Sequence, residues 1–404
     1  MTRKFAKETP VMLLCRRPIF AADLKVWAYE LLRSDGPLAS PAQAGEVREL
    51  LAPEIWGPGK PLWLMVSGEF LKQGLVADLP AAQIILEVEP RALEDPEVRR
   101  GLTAWTEAGY RLALGWVEEP SGSGMDGLPL SLLKVEFGAL SGTRPPAGLA
   151  GAGNRPLTLV AAGLTQPAQF REALTAGFTY AQGSFYRRRE EGSAPRTRRF
   201  AVNYVKILNE LGQSSLNFPR FAALIQSNPP LVHRLLSYLN SAFFGLPCRV
   251  HSVEQALLLL GEEELRKWAA LVIIHHLGEG HPEELFLLSL IRARLAERLA
   301  QQAKMDSASE MFLIGLLSLV DVYLGQPLEA LLAELPLCPV ILDALAGAPG
   351  PQRRLLELVL ALEEADWEGT RKQADNLRLS EAEIAAAYQE ALKTAEAARR
   401  HWLG

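Results

Sequence analysis

The sequence lacks what would tie a chain together covalently or anchor it in a membrane. Only three cysteines occur, Cys15, Cys248 and Cys338, far apart and with no CxxC pair. That excludes a disulfide framework and a cysteine-based zinc site, and it suits a reducing compartment. No apolar run approaches the roughly 18 residues of a membrane span. The longest, Met311–Val320, is broken by Gly315 and Ser318. Lys4 and Lys7 precede only the short apolar stretch Val11–Cys15, less than the apolar core of about 7–15 residues in a signal peptide. Excess positive charge is also missing, with 42 Lys and Arg against 47 Asp and Glu. General affinity for nucleic acid or an anionic membrane rests on such an excess. A cytoplasmic protein is expected, with no nucleic-acid partner and no membrane insertion.

Histidine is absent from the first half, and all six follow residue 230. A metal there would have to rest on carboxylates, amides and water, which favours magnesium, calcium or manganese over zinc. What is present is globular. The 404 residues are 49% hydrophobic, enough for two or three domains with a sizeable core. The charged fraction of 22% excludes wholesale disorder.

The first half, to about Tyr186, alternates short apolar runs with helical stretches. Val11–Leu14, Leu62–Val66, Ile84–Val88, Arg111–Trp116, Leu132–Phe137 and Thr158–Ala161 read as buried strands. Pro41–Leu51, Pro96–Ala108 and Pro167–Ala176 read as helices, each opening on proline, with Ser40 as an N-cap. This pattern predicts an α/β domain and points to a barrel. One stretch is discordant. Leu140–Arg155 holds six Gly and Pro residues where a crossover helix belongs, which counts against regular closure.

Residues 187–199 carry six arginines around Gly192 and Pro195 and read as an Arg-rich linker, solvated rather than nucleotide-binding. From Phe200 onward the pattern is helical. Asn228 precedes Pro229 as a cap, and Ser252–Gln255, Ser307–Glu310 and Ser380–Glu383 match capping boxes. Ile384, Tyr388 and Leu392 in the tail are four apart and share a face for packing. The expected domains are residues 1–186, a linker at 187–199, and a helical domain with its tail at 200–404.

The runs Pro18-Ile19-Phe20 and Tyr29-Glu30-Leu31-Leu32, then Ile85-Leu86-Glu87, Lys134-Val135-Glu136 and Gly177-Phe178-Thr179-Tyr180-Ala181-Gln182-Gly183, resemble in order the motifs of the EAL domain. That family is a barrel that hydrolyses cyclic-di-GMP. The resemblance implies two divalent cations held by acidic and amide side chains at the C-terminal strand ends, activating water for attack on a phosphodiester. Glu30, or else its neighbour Tyr29, matches the glutamate that names the family. Glu87 matches a second ligand, Lys134 the lysine near the water, and Gln182 the final motif. The other positions are lost. Met65 stands for a metal-binding asparagine, and Gly115 and Trp116 for the paired aspartates that bridge the metals. Ala162 and Thr165 stand for two glutamates. Two remaining glutamates cannot hold two dications, so no metal, no cofactor and no hydrolysis are expected. Glu30 to Met65 is also a short interval, with room for one helix. The resemblance is therefore to a degenerate, shortened EAL-like (β/α) barrel.

Phe218–Leu246 resembles the HDOD domain, a helical bundle related to HD phosphohydrolases but catalytically silent. The marks are Asn228-Pro229, the run ending at Asn240-Ser241, and Phe244-Gly245-Leu246, all expected to be structural. Where the HD metal pair would follow Leu317, the chain has Ser318-Leu319. His275-His276 lacks a following Asp, and adjacent helical residues point about 100° apart. An EAL-like half followed by HDOD resembles the EAL–HDOD signalling proteins, which implies a non-catalytic adaptor working through protein–protein contact in a cyclic-di-GMP, motility or pilus pathway. The alternative is a sensor that binds cyclic-di-GMP without cutting it. The protein partner is not identified by the sequence.

Overall fold

The computed structural model describes residues 12–116, 127–139, 157–190, 207, 216–239, 249–335 and 337–402. The chain divides into two compact units. One is Met1–Arg188 together with Ala361–Glu368, and the other is Arg189–Leu360 together with Gly369–Gly404.

The first unit is a closed barrel of eight strands in chain order. They are β1 (Leu14–Phe20), β2 (Val26–Arg33), β3 (Leu62–Val66), β4 (Ile84–Val88), β5 (Arg111–Trp116), β6 (Leu132–Glu136), β7 (Thr158–Leu164) and β8 (Tyr180–Gly183). The barrel closes, against the expectation drawn from Leu140–Arg155. That stretch lies outside the described residues, but the strands on either side of it, β6 and β7, pair in continuous parallel register from Leu132 opposite Thr158 to Glu136 opposite Ala162. Closure is completed by β1, which runs antiparallel to both β2 and β8. The first strand begins at Leu14 rather than Val11, and β2 and β8 carry the Tyr-Glu-Leu-Leu and Tyr-Ala-Gln-Gly motifs that were not read as strands. β8 is only four residues long, and β2 carries Glu30 and Arg33 within an otherwise apolar run.

The proline-opened helices form as expected at Pro41–Leu50, Pro96–Glu107 and Pro167–Thr175. Ser40 caps the first, accepting from the Gln43 amide while the Gln43 side chain reaches back, so two end donors are satisfied together. Between Glu30 and Met65 a second, four-residue helix, Pro53–Trp56, accompanies the expected one. It buries Ile55 and Trp56. That burial, not length, sustains so short a helix.

Strand alternation sorts the barrel interior into layers. Ile19, Ala28, Trp63, Ile85, Ala113, Leu132 and Val160 form an apolar plug. At the N-terminal strand ends, Trp27 stacks on Tyr180 with centroids 3.9 Å apart, and the Arg111 guanidinium lies 5.6 Å from the Trp27 ring. That end is sealed. The layer two residues toward the C-terminal ends is polar, and it holds the candidate site.

The second unit is helical throughout its described residues, from Phe218–Gln226 to Glu381–Trp402. Helix Glu283–Gln302 is buried on nearly every side. Helix Ala308–Leu317 crosses it where Gly315 leaves no room for a side chain, since a Cβ there would lie 2.5 Å from the Arg292 carbonyl oxygen. Helix Val253–Leu277 is broken at Gly261, whose φ of 70° only glycine adopts freely. The Ser380–Glu383 box forms, but Ser307 makes no capping bond to Glu310; its hydroxyl accepts instead from Gln352. Ile384, Tyr388 and Leu392 are buried, as their spacing predicts. No single helix among the described residues is long and apolar enough to cross a membrane. The bent pair Ala308–Leu324 and Leu328–Glu334 reaches that apolarity only jointly, across a 112° bend.

Candidate functional site

The polar layer of the barrel is built by two strand ends carrying acids and one carrying a lysine. Glu30 on β2 and Glu87 on β4 are both 3% exposed. Lys134 on β6 stands between them, its Nζ donating to Glu30 Oε1 at 2.6 Å and to Glu87 Oε2 at 2.5 Å. Gln182 on β8 donates Nε2 to Glu30 Oε2 at 2.8 Å. The Trp63 indole of β3 donates to Glu87 Oε2, and its ring also lies 5.6 Å from the Lys134 ammonium. Glu30, not Tyr29, faces inward. Tyr29 packs against Trp56 and under the Arg16 guanidinium on the outer face.

The charges fit one another. Burial alone would raise the Glu30 carboxyl, but the Lys134 ammonium, by charge and hydrogen bond, holds it below the ordinary carboxylate range. Glu87 goes the other way. Burial and the neighbouring Glu30 charge push it up, despite Lys134. Burial disfavours the Lys134 charge, yet the two carboxylates together raise it above the usual lysine value. The two carboxylates share one ammonium, which favours the charged form of Glu30, while the like charge of Glu30 works against that of Glu87.

The lost positions lie around it. Met65 is the register partner of Glu87. Gly115 presses on the same carboxylate, since a Cβ there would meet Glu87 Oε1 at 2.2 Å. Ala162 is buried, opposite Glu136 across β6 and β7. Thr165 is exposed outside β7 and bonds Gln169 at its following helix start. Trp116 ends β5, and its side chain lies outside the described residues. A pair of divalent cations does not fit this donor set. The two acids are bridged by an ammonium, the strand end beside Glu87 is a glycine with no space for a carboxylate, and among the described residues no three His, Cys, Asp or Glu side chains are placed to share an ion.

Two members of the site were missed in the sequence, Trp63 and Arg17. Trp63 is two residues before Met65 and therefore on the same face; strand alternation was the available signal. Arg17 is directly opposite Glu30 in the β1–β2 register and lowers that carboxyl further. The apolar run Val11–Leu14 that marks the first strand in the sequence ends before Arg17, which lies inside the observed β1. Arg187, assigned to the linker, is instead the last residue of a 3-10 turn closing β8 and is ion-paired with Glu363 and Glu364.

In the helical unit, Asn228 caps helix Pro229–Leu239, accepting weakly from the Leu231 amide at 3.4 Å. Asn240, Ser241 and Gly245 lie outside the described residues. Ser318 accepts from Arg292 Nη1 at 2.9 Å and donates to the Gly315 carbonyl at 2.7 Å. An arginine thus bonds the serine that stands where the resemblance would put the metal-binding His-Asp pair. His275 packs on Phe286 and Trp402, while His276 faces Glu279.

Residues 199–326 match the family model described as HDOD domain, so the chain carries an HDOD domain in its helical unit. Ahead of it stands the closed eight-stranded barrel. Over nearly its whole length the chain is similar to two curated proteins. YuxH of Bacillus subtilis is 27% identical over 92% of this chain and 95% of the relative. The cyclic di-GMP phosphodiesterase CdgJ of Vibrio cholerae is 26% identical over 89% and 86%. Among solved structures, the EAL domain of Mycobacterium smegmatis DcpA is 24% identical, with a TM-score of 0.34 over 43% of this chain and 90% of that one.

Proposed function

We propose that the chain is a non-catalytic signalling or adaptor protein that acts through protein–protein contact in a bacterial cyclic-di-GMP, motility or pilus pathway. Residues 1–186 are read as a degenerate EAL-like domain, 187–199 as an Arg-rich linker, and 200–404 as the HDOD helical domain with its tail. The observation that carries the reading is the Lys134 ammonium, hydrogen-bonded at once to Glu30 and Glu87. Where the EAL resemblance implies dications, a covalently attached monocation bridges the two acids. It supplies no Lewis acidity to a phosphate and no bound water to activate. The similarity to the Vibrio cholerae phosphodiesterase supports the pathway. Glu30, Glu87, Lys134 and Gln182 are vestigial positions kept for the barrel's interior, and the Asn228-Pro229 signature serves the helical fold.

The test is turnover. Purified full-length chain is incubated with cyclic-di-GMP in magnesium and in manganese, and products are resolved by chromatography. No linear dinucleotide is expected. Hydrolysis that disappears in Glu87→Gln would overturn the reading. The sensor alternative is disfavoured because Lys134 and Gln182, the groups in this layer that could meet a nucleotide, already hold Glu30. Calorimetry with cyclic-di-GMP is expected to give no saturable heat in the micromolar range. Saturable binding lost in Lys134→Ala would favour the sensor.

A further inference from the structure

The barrel's unit contains one segment from far along the chain, Ala361–Glu368. Arg17 shares the inner face with Glu30, directly across the antiparallel ladder, and its Nη2 donates to the Glu364 carbonyl oxygen at 3.3 Å. Arg187, in the turn that closes β8 at its C-terminal end, donates to the Glu364 carboxylate at 2.5 Å and pairs with Glu363. Cys15 lies two residues before Arg17, opposite Leu32, one layer nearer the open end of the barrel. A residue at the rim of an open mouth meets water, yet Cys15 is 0% exposed. Burial pushes its thiol up to about 12, with the Ala365 backbone within hydrogen-bonding reach and the Glu364 charge close by. The segment is shaped for this place. Ala365 adopts a left-handed φ of 57°, rare for a residue with a side chain. The turn is closed by Ala365 N–H to Leu362 O at 3.1 Å and Asp366 N–H to Ala361 O at 2.9 Å.

We propose that Ala361–Glu368 is a built-in acidic cap on the barrel mouth, held by Arg17 and Arg187, that must leave before any phosphate-bearing ligand reaches the layer of Glu30, Lys134 and Glu87. The cap takes the guanidiniums that a phosphodiester would otherwise meet, so an anionic ligand and the cap compete for the same cations. This inference goes beyond the proposed function and stands or falls separately from it, because its test does not read hydrolysis.

The test uses the full chain with Cys248→Ser and Cys338→Ser, leaving Cys15 as its only thiol. Its alkylation by iodoacetamide is followed by intact-mass spectrometry under native conditions. The parent is expected to react slowly. Arg187→Gln, and separately Glu363→Gln with Glu364→Gln, are expected to speed labelling at least tenfold while far-ultraviolet circular dichroism stays unchanged. Rates equal to the parent's in both variants would overturn the cap. If either variant fails to fold, the parent alone decides. Its labelling is expected to quicken from low to high ionic strength as the ion pairs are screened, and a rate indifferent to salt would equally overturn the proposal.

Discussion

Replacing Lys134 with methionine removes the positive charge that donates directly to both acids and roughly keeps the side chain's length. Glu30 and Glu87 would remain in a layer where each is 3% exposed. Glu30 would keep Gln182 and the more distant Arg17, and Glu87 would keep the Trp63 indole. Deleting one partner of a buried charge network costs about 3–5 kcal/mol, because the carboxylates left behind are no longer compensated. For a unit of this size that is a loss of roughly 6–20 °C in melting temperature. The loss should be greatest near pH 7.5 and should shrink on acidification, as the abandoned carboxyls take up protons and their burial stops being a charge problem. Differential scanning calorimetry of wild type and variant from pH 5 to pH 8 measures both features. A second variant separates charge from packing. Glu30→Gln, Lys134→Met and Glu87→Gln together remove all three charges and should recover most of the stability, since a buried ionic cluster replaced as a whole is often neutral. A single variant as stable as wild type at pH 7.5, or a triple variant no better than the single one, would refute the account of the site.

Four further outcomes follow from close contacts. Gly115→Ala should cost about 1–3 kcal/mol by displacing the Glu87 carboxylate from Lys134 and Trp63, read by urea unfolding. Gly115→Asp should likewise fail to confer magnesium binding by calorimetry, because the new carboxylate has no space beside Glu87. Trp63→Phe keeps an aromatic ring but loses the donor to Glu87 and part of the buried indole, at about 1–3 kcal/mol or more in the same assay. Gly315→Ala should destabilise the helical unit by about 1–3 kcal/mol or more, since the contact is backbone and cannot swing aside.

The parts of this molecule that are local were legible in its sequence. Proline-opened helices declare themselves through fixed φ and a missing donor, and Pro41–Leu50, Pro96–Glu107 and Pro167–Thr175 all formed within a residue of expectation. Apolar runs such as Ile84–Val88 are strands because they are buried on both faces. The two strands that were missed, β2 and β8, carry Glu30 and Gln182 in place of apolar residues, so the site residues themselves erase the strand signal. Closure of the barrel was illegible for a related reason. It depends on β1 running antiparallel between β2 and β8, a pairing of segments more than 150 residues apart in sequence. At the site, the absence of acids at Met65, Gly115 and Ala162 was readable. What fills the space was not, because a lysine that bridges two acids across the barrel is a fact of register and depth.

The two acids also differ in a way that a titration exposes. Glu30 is held below its ordinary value of 4.5 in spite of burial, mainly by Lys134. Its contribution to stability is present above that value and is lost as the pH falls through the lower folded one. Glu87 is raised above 4.5 by burial and by Glu30. Its contribution is present below that value and is lost as the pH rises through the higher folded one. Glutamine in place of each acid removes the titration while keeping the shape. The cost of Glu30→Gln, measured as the difference in unfolding free energy from wild type, should therefore grow from pH 4 toward pH 7. The cost of Glu87→Gln should shrink over the same interval. Parallel urea titrations at each pH give both curves. If the two costs move in the same direction, the ammonium does not favour Glu30 over Glu87, and the assignment of Glu30 as the ionised member of the pair is wrong.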